Sequence, residues 1–170
     1  KEFDDVLKSG RTHLQDAMPI RLGQELEAYA ESLRRGLKRV AEAADYLRDL
    51  GIGGSAVGTG VNVEPEYPKL MIKHLRESAR VELREGKNRI QLMQSMGDVA
   101  GFSAQLRVLA LDLSKIASDL RLLASGPRTG LNEIPLPAVQ PGSSILPGMV
   151  EPPLPGEVTQ GVLPVTAPRS

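Results

Sequence analysis

Two stretches of this chain repeat apolar residues in steps of three and four, and each is too apolar to stand alone. Within residues 88–124, Leu106, Leu109, Leu113, Ile116, Leu120 and Leu123 form a seam like that of a coiled coil. Val108, Ala110, Leu111, Ala117 and Leu122 add apolar bulk on other faces. Within residues 20–50, Leu22, Leu26, Tyr29, Leu33, Leu37, Val40, Ala44 and Leu47 fall on one helical face. Arg34, Arg35, Lys38, Arg39, Glu42 and Arg48 lie between them. A helix over 88–124 would extend about 50 Å at 1.5 Å per residue, beyond the span of a small domain. The pattern predicts an all-α fold built on long antiparallel helices of a central helical bundle. A hairpin of two such helices buries one seam of each. The surplus apolar surface predicts further helices, from the same chain or from other subunits.

The helix boundaries have local causes. Pro19 falls just before 20–50, and Gly51, Gly53 and Gly54 are expected to stop that helix. Residues 51–64, GIGGSAVGTGVNVE, form a glycine-dense connector without helical period. Pro68 opens a short helix over 68–78, in the first-turn position that proline tolerates. From residue 125 the character changes. Ten of the thirteen prolines follow it, and such a segment reads as loop and extended chain without a core of its own. The chain is therefore divided into a bundle part, 1–124, a loop region, 125–152, and an irregular tail, 153–170.

Composition removes several classes of function. Acidic and basic residues balance to a net charge of zero, so no basic excess points to nucleic acid or to an anionic membrane surface. Tryptophan is absent and aromatics are few, which leaves little to stack on bases or sugars. There is no cysteine, hence no disulfide, thiolate metal site or thiol nucleophile, as suits a reducing cytoplasm. No apolar run reaches the length of a membrane span. The chain opens on Lys1 rather than methionine and is expected to be a piece of something longer.

Three segments could carry chemistry. In Gly10-Arg11-Thr12-His13-Leu14-Gln15-Asp16, a hydroxyl, an imidazole, an amide and a carboxylate crowd together before a helix. Thr12 can donate to a carboxylate ligand, and His13 can donate or move a proton near neutral pH. The other reading is a polar turn with Asp16 or Thr12 as helix cap. In Gly142-Ser143-Ser144 a hydroxyl sits in a glycine-bearing loop whose N–H groups could hold an oxyanion. A linker rich in small residues would look the same. The run GTGVN, 58–62, lacks the spacing of a dinucleotide loop and the Lys-Ser/Thr of a P-loop, and tight packing explains it better. His13 and His74 stand apart, so no metal site is expected, and His74 reads as a surface residue.

Taken together, these segments resemble the fumarase/aspartase superfamily of lyases. GRTHLQDAMPIRLGQE is similar to its second signature region, GGSAVGTGVN to the turn that follows, and SGPRTGLNEIPLPAVQPGSSILPG to its mobile catalytic loop. The resemblance covers residues 1–148, with PLPGEVTQ at 153–160 a fainter echo, and LPAVQPGSS looks more like the aspartate ammonia-lyase branch than the fumarate hydratase branch. It implies a homotetramer whose long helices pack into one bundle, with active sites built from three subunits and no organic cofactor. It also implies removal of a β-proton from aspartate, an aci-carboxylate dianion, and release of ammonia to leave fumarate. Ser143 would then be the general base, Thr12 and His13 would contact a substrate carboxylate, and Ser144 would line the loop.

The match fails just past the serines. The family signature continues GSSxMPGKxNP, whereas this chain has GSSILPGMVEP, which puts Met149 in place of a lysine and Glu151 in place of an asparagine. Met149 offers no donor, and Glu151 would repel a dicarboxylate. Loss of one hydrogen bond to a charged group costs ~1.5–3 kcal/mol, and each ~1.4 kcal/mol is tenfold in rate. The first signature region of the family is also absent, and the prolines of GVLPVTAPRS replace a long apolar helix. The expectation is a truncated or eroded copy of such a gene, inactive as an isolated chain, and able to persist as a non-catalytic helical association partner.

Overall fold

The computed structural model describes residues 2–136, together with the backbone of 140–141 and 150–151. The chain divides into two compact units: residues 1–37 with 107–170, and residues 38–106. The first unit opens with an antiparallel hairpin, β1 (Leu7–Thr12) and β2 (Gln15–Arg21). Leu7 pairs with Arg21 and Thr12 with Gln15, with a register shift between Gly10 and Arg11. Helix α1 (Leu22–Tyr46) starts directly from β2. Its first N–H groups, which no helical carbonyl can reach, find partners before the hairpin. Leu22 N–H donates to Val6 O at 2.9 Å and Gly23 N–H to Phe3 O at 3.0 Å.

The second unit holds the end of α1, the strand β3 (Asp49–Leu50), the connector and helix α2 (Tyr67–Ala79). Strand β4 (Arg84–Glu85) pairs in parallel with β3. Arg84 secures this pair, reaching Asp49 Oδ1 at 2.7 Å and Asp45 Oδ2 at 3.0 Å. Helix α3 (Arg89–Gln94) and the start of helix α4 (Gly97–Leu123) complete the unit. In the connector, Gly58 N–H and Gly60 N–H both donate to Gly54 O, at 2.9 and 3.0 Å. The backbone at Gly58 then lies against Ile90 of α3, so the glycines of GTGVN serve close packing, as expected. Pro68 stands in the first turn of α2 and is buried with Ile72.

Several expectations need correction. The predicted helix over 88–124 is two helices, because Ser95 breaks it. Ser95 takes an extended conformation, its N–H closes α3 on Gln91 O, and its Oγ accepts the N–H of Gly97 at 3.2 Å. Asn88 caps α3 by accepting from Gln91 N–H at 3.0 Å. The helix predicted over 20–50 spans 22–46, so it ends before Gly51 rather than at it. Pro19 is inside β2, opposite Ser9. The turn expected around Thr12 is the tip of a true hairpin. The all-α reading nonetheless stands, since among the described residues strands occur only as two-stranded pairs.

The apolar seam of α4 is only partly covered. The buried positions of α4 are Ala110, Ala117 and Leu123, whereas Leu106, Leu111 and Leu113 remain exposed. Among the described residues only Ile72, Ala110, Ala117 and Leu123 form buried apolar core. Leu37 is 60% exposed and Tyr46 65%. No helix of the described residues is long and apolar enough to cross a membrane.

Candidate active site at the hairpin tip

The hairpin places Thr12 and His13 at its tip, exposed and side by side. Thr12 pairs with Gln15, so only His13 and Leu14 form the turn. Both have positive φ, 52° and 61°. A two-residue hairpin turn of this hand is normally made by Asn-Gly or Asp-Gly, which tolerate such angles. A left-handed conformation costs other residues about 1–2 kcal/mol each. Bulky His and Leu held there are backbone outliers of the kind that gather at functional sites. Leu14 is also 71% exposed, so burial of its own side chain does not repay the cost.

Beneath the tip lies a cavity of about 330 Å³. His13, Lys8, Arg11, Glu25, Lys115 and Asp119 supply its polar wall, and Leu14, Leu122 and Leu123 its apolar wall. Lys8 Nζ lies 2.8 Å from Glu25 Oε2 and 3.3 Å from Glu133 Oε2. Arg11 donates to Glu133 Oε1 and faces Asp16 Oδ1 at 3.4 Å. On the far side, Tyr29 Oη donates to Asp119 Oδ2 at 2.8 Å, Lys115 pairs with the same carboxylate, and its ammonium sits over the Tyr29 ring. Burial, then the hydrogen bond to Asp119, push the Tyr29 phenol well above its ordinary range. It therefore stays protonated at neutral pH and acts as a donor.

The hydrogen bond from Arg11, reinforced by Lys8 and opposed by burial, holds the Glu133 carboxyl below its ordinary range. A carboxyl lowered by folding adds stability above its unfolded pKa, and that stability disappears as pH falls through the folded value. Wild-type protein should therefore lose more stability than Glu133→Gln as pH falls through the acid carboxylate range, below about pH 4.5. Parallel denaturant melts of the two proteins at neutral and acid pH check this.

Of the residues singled out in the sequence, the structure places Thr12 and His13 together. Ser143, Ser144 and Met149 lie outside the described residues. Glu151 is described by its backbone alone, where β6 (Val150–Glu151) pairs with β5 (Gln140–Pro141). His74 is a surface residue facing Glu77 at 3.6 Å, as expected. Among the described residues, no group of three or more His, Asp and Glu could hold a metal. The Glu25–Lys8–Glu133–Arg11 network was not anticipated, and no local sequence signal links Arg11 to a residue 122 positions away.

A family model described as Lyase matches residues 1–164. This chain belongs to that lyase family. The chain is 51% identical over 152 residues to the aspartate ammonia-lyase of Bacillus subtilis, a match covering 89% of this chain and 32% of that protein. It is 45% identical to the class II fumarate hydratase of Halalkalibacterium halodurans, covering 89% of this chain and 33% of that protein. Among solved structures, the fumarate lyase:delta crystallin of Brucella melitensis bound to cobalt superposes with a TM-score of 0.88 at 48% identity, covering 97% of this chain and 36% of that one. The class II fumarase of Schistosoma mansoni gives 0.90 at 30% identity, covering 97% and 38%. The chain spans about a third of the length of the curated relatives it matches.

Proposed function

We propose that the chain is the central part of an ammonia-lyase of the aspartase type, converting L-aspartate to fumarate and ammonia. The observation that carries this reading is the left-handed His13–Leu14 turn, a strained tip that presents a hydroxyl and an imidazole together. The 51% identity to an aspartate ammonia-lyase supports L-aspartate as the substrate. In this reading Thr12 and His13 bind one substrate carboxylate, Ser143 removes the β-proton as general base, and Ser144 lines the loop. The proton leaves a carbon next to a carboxylate, so charge builds on that carboxylate as a dianion. Donors fixed in advance lower the cost of that charge. The dianion then expels the ammonium group as ammonia.

The division into bundle, 1–124, loop region, 125–152, and tail, 153–170, belongs to the same proposal. So do a homotetrameric assembly and a cytoplasmic setting. The exposed apolar residues of α1 and α4 support association with other helices. Fumarate hydratase is the second reading, favoured by the 45% identity to such an enzyme over an equal length.

Met149 and Glu151 remove a cationic donor and add a repelling carboxylate at the positions where the resemblance puts lysine and asparagine. The purified 170-residue chain should therefore release no more ammonia from L-aspartate than its Ser143→Ala variant. Ammonia well above that control would overturn the loss of activity, and malate formed from fumarate would instead favour the hydratase. Restoring Met149→Lys and Glu151→Asn together is not expected to bring turnover to the chain alone. The binding half of the reading has its own check. Millimolar fumarate or L-aspartate should shift the amide resonances of Thr12 to Gln15, and a silent tip would sink it.

A further inference from the structure

The tip is clamped from behind by a carboxylate that arrives from the other end of the first unit. Arg11 stands at the register shift of β1 and immediately precedes Thr12 and His13. Such irregularities re-aim a side chain next to a site. Here Arg11 makes its hydrogen bond to Glu133. Glu133 is itself held by a compact turn after α4. Its N–H donates to Leu123 O at 2.9 Å, and Asn132 N–H donates to Ser125 O at 2.8 Å. Ser125 Oγ donates to Leu122 O at 2.6 Å and accepts from Leu131 N–H at 3.1 Å. A side chain at Gly130 would overlap the backbone of Ser125, so the turn has room for glycine alone. The outcome of all these constraints is one carboxylate aimed at two cations of β1, Arg11 and Lys8.

We propose that Glu133 is a positioning residue: through Arg11 it fixes the left-handed turn that displays Thr12 and His13. The proposal rests on the reading of Thr12 and His13 as carboxylate-binding groups. A pair of left-handed non-glycine residues persists only when the flanking chain is held. The pairing of β1 with β2 holds one side of the chain, and the Arg11–Glu133 pair supplies an independent anchor two residues before the turn. The same clamp connects the tip to the segment that leads toward Ser143, ten residues further along the sequence.

Residue-resolved amide hydrogen exchange on the 170-residue chain tests this, because it reads local opening separately from global unfolding. In Glu133→Gln the hairpin amides should exchange about tenfold faster or more, while those of α2 stay unchanged. Arg11→Lys keeps the charge but loses the planar fork, and should give a smaller effect of the same sign. The double variant Arg11→Gln with Glu133→Gln should be no faster than Glu133→Gln alone. Equal acceleration in the hairpin and α2, or unchanged hairpin exchange in both Glu133→Gln and Arg11→Lys, would overturn the clamp. In the same samples, fumarate should shift the Thr12 and His13 amides of the wild type and fail to do so in Glu133→Gln. Absence of shifts in the wild type with fast exchange in the variant would reject the carboxylate reading and retain the clamp.

Discussion

Gly58→Ala should destabilise the second unit by about 2–5 kcal/mol, combining left-handed strain with overpacking. A β-carbon at Gly58 would stand 2.5 Å from Ile90 Cα and 2.6 Å from Ile90 N, on backbone with a φ of 92°. Both contacts are with backbone, so no rotamer change relieves them. The N–H of Gly58 also donates to Gly54 O, which fixes the connector in the offending position. Either the connector or the start of α3 must move, and α3 is a six-residue helix with no buried residue of its own. Gly101→Ala is the matched control. Nothing stands within 4 Å of its β-carbon and its backbone is helical, so alanine there should gain about 0.5–1 kcal/mol. Urea melts followed by circular dichroism measure both. Opposite signs are expected, and a Gly58→Ala protein as stable as wild type would contradict the close packing of connector on α3.

The helices were legible because their cause is local and repeated. The three-and-four spacing of leucines from Leu106 to Leu123 places them on α4 whatever the surroundings. The break at Ser95 is marked in the sequence only weakly, by the poor helix formers Ser95, Gly97 and Asp98, and its cause is one hydroxyl accepting one N–H two residues on. The hairpin was hidden for a different reason. Its turn residues are His13 and Leu14, and leucine in particular is uncommon at left-handed angles, so the usual Asn-Gly marker is missing. Which face of α4 is buried also escaped the sequence. Of the leucine seam Leu123 is buried but Leu106 and Leu113 are exposed, whereas Ala110 and Ala117, outside the seam, are buried.

The site was half legible. A Thr-His pair in a polar cluster invited a carboxylate-binding reading, and resemblance sharpened it. What could not be read was the support beneath it. Lys8 and Glu25 belong to different elements, and Glu133 follows the last long helix, so only folding brings their charges together. In isolation each looks like a surface charge. Grouped and partly withdrawn from water, they become a network whose removal leaves a partner uncompensated.

The substitution with the largest opposed effects replaces the tip itself. Changing His13→Asn and Leu14→Gly together installs the turn sequence that left-handed geometry prefers. Relief of strain at two positions should stabilise the hairpin by about 1–3 kcal/mol, against some extra entropy in the unfolded chain from the new glycine. The same change deletes the imidazole, so affinity for fumarate should fall by about ten- to a hundredfold, the equivalent of one hydrogen bond to a charged group. Thermal melts and an NMR titration on the same samples give both quantities. A purely structural tip would gain stability and keep whatever affinity it had. A tip whose strain serves binding gains the one and loses the other, and Leu14→Gly alone separates them, because it relieves one strained residue while His13 remains to meet the ligand.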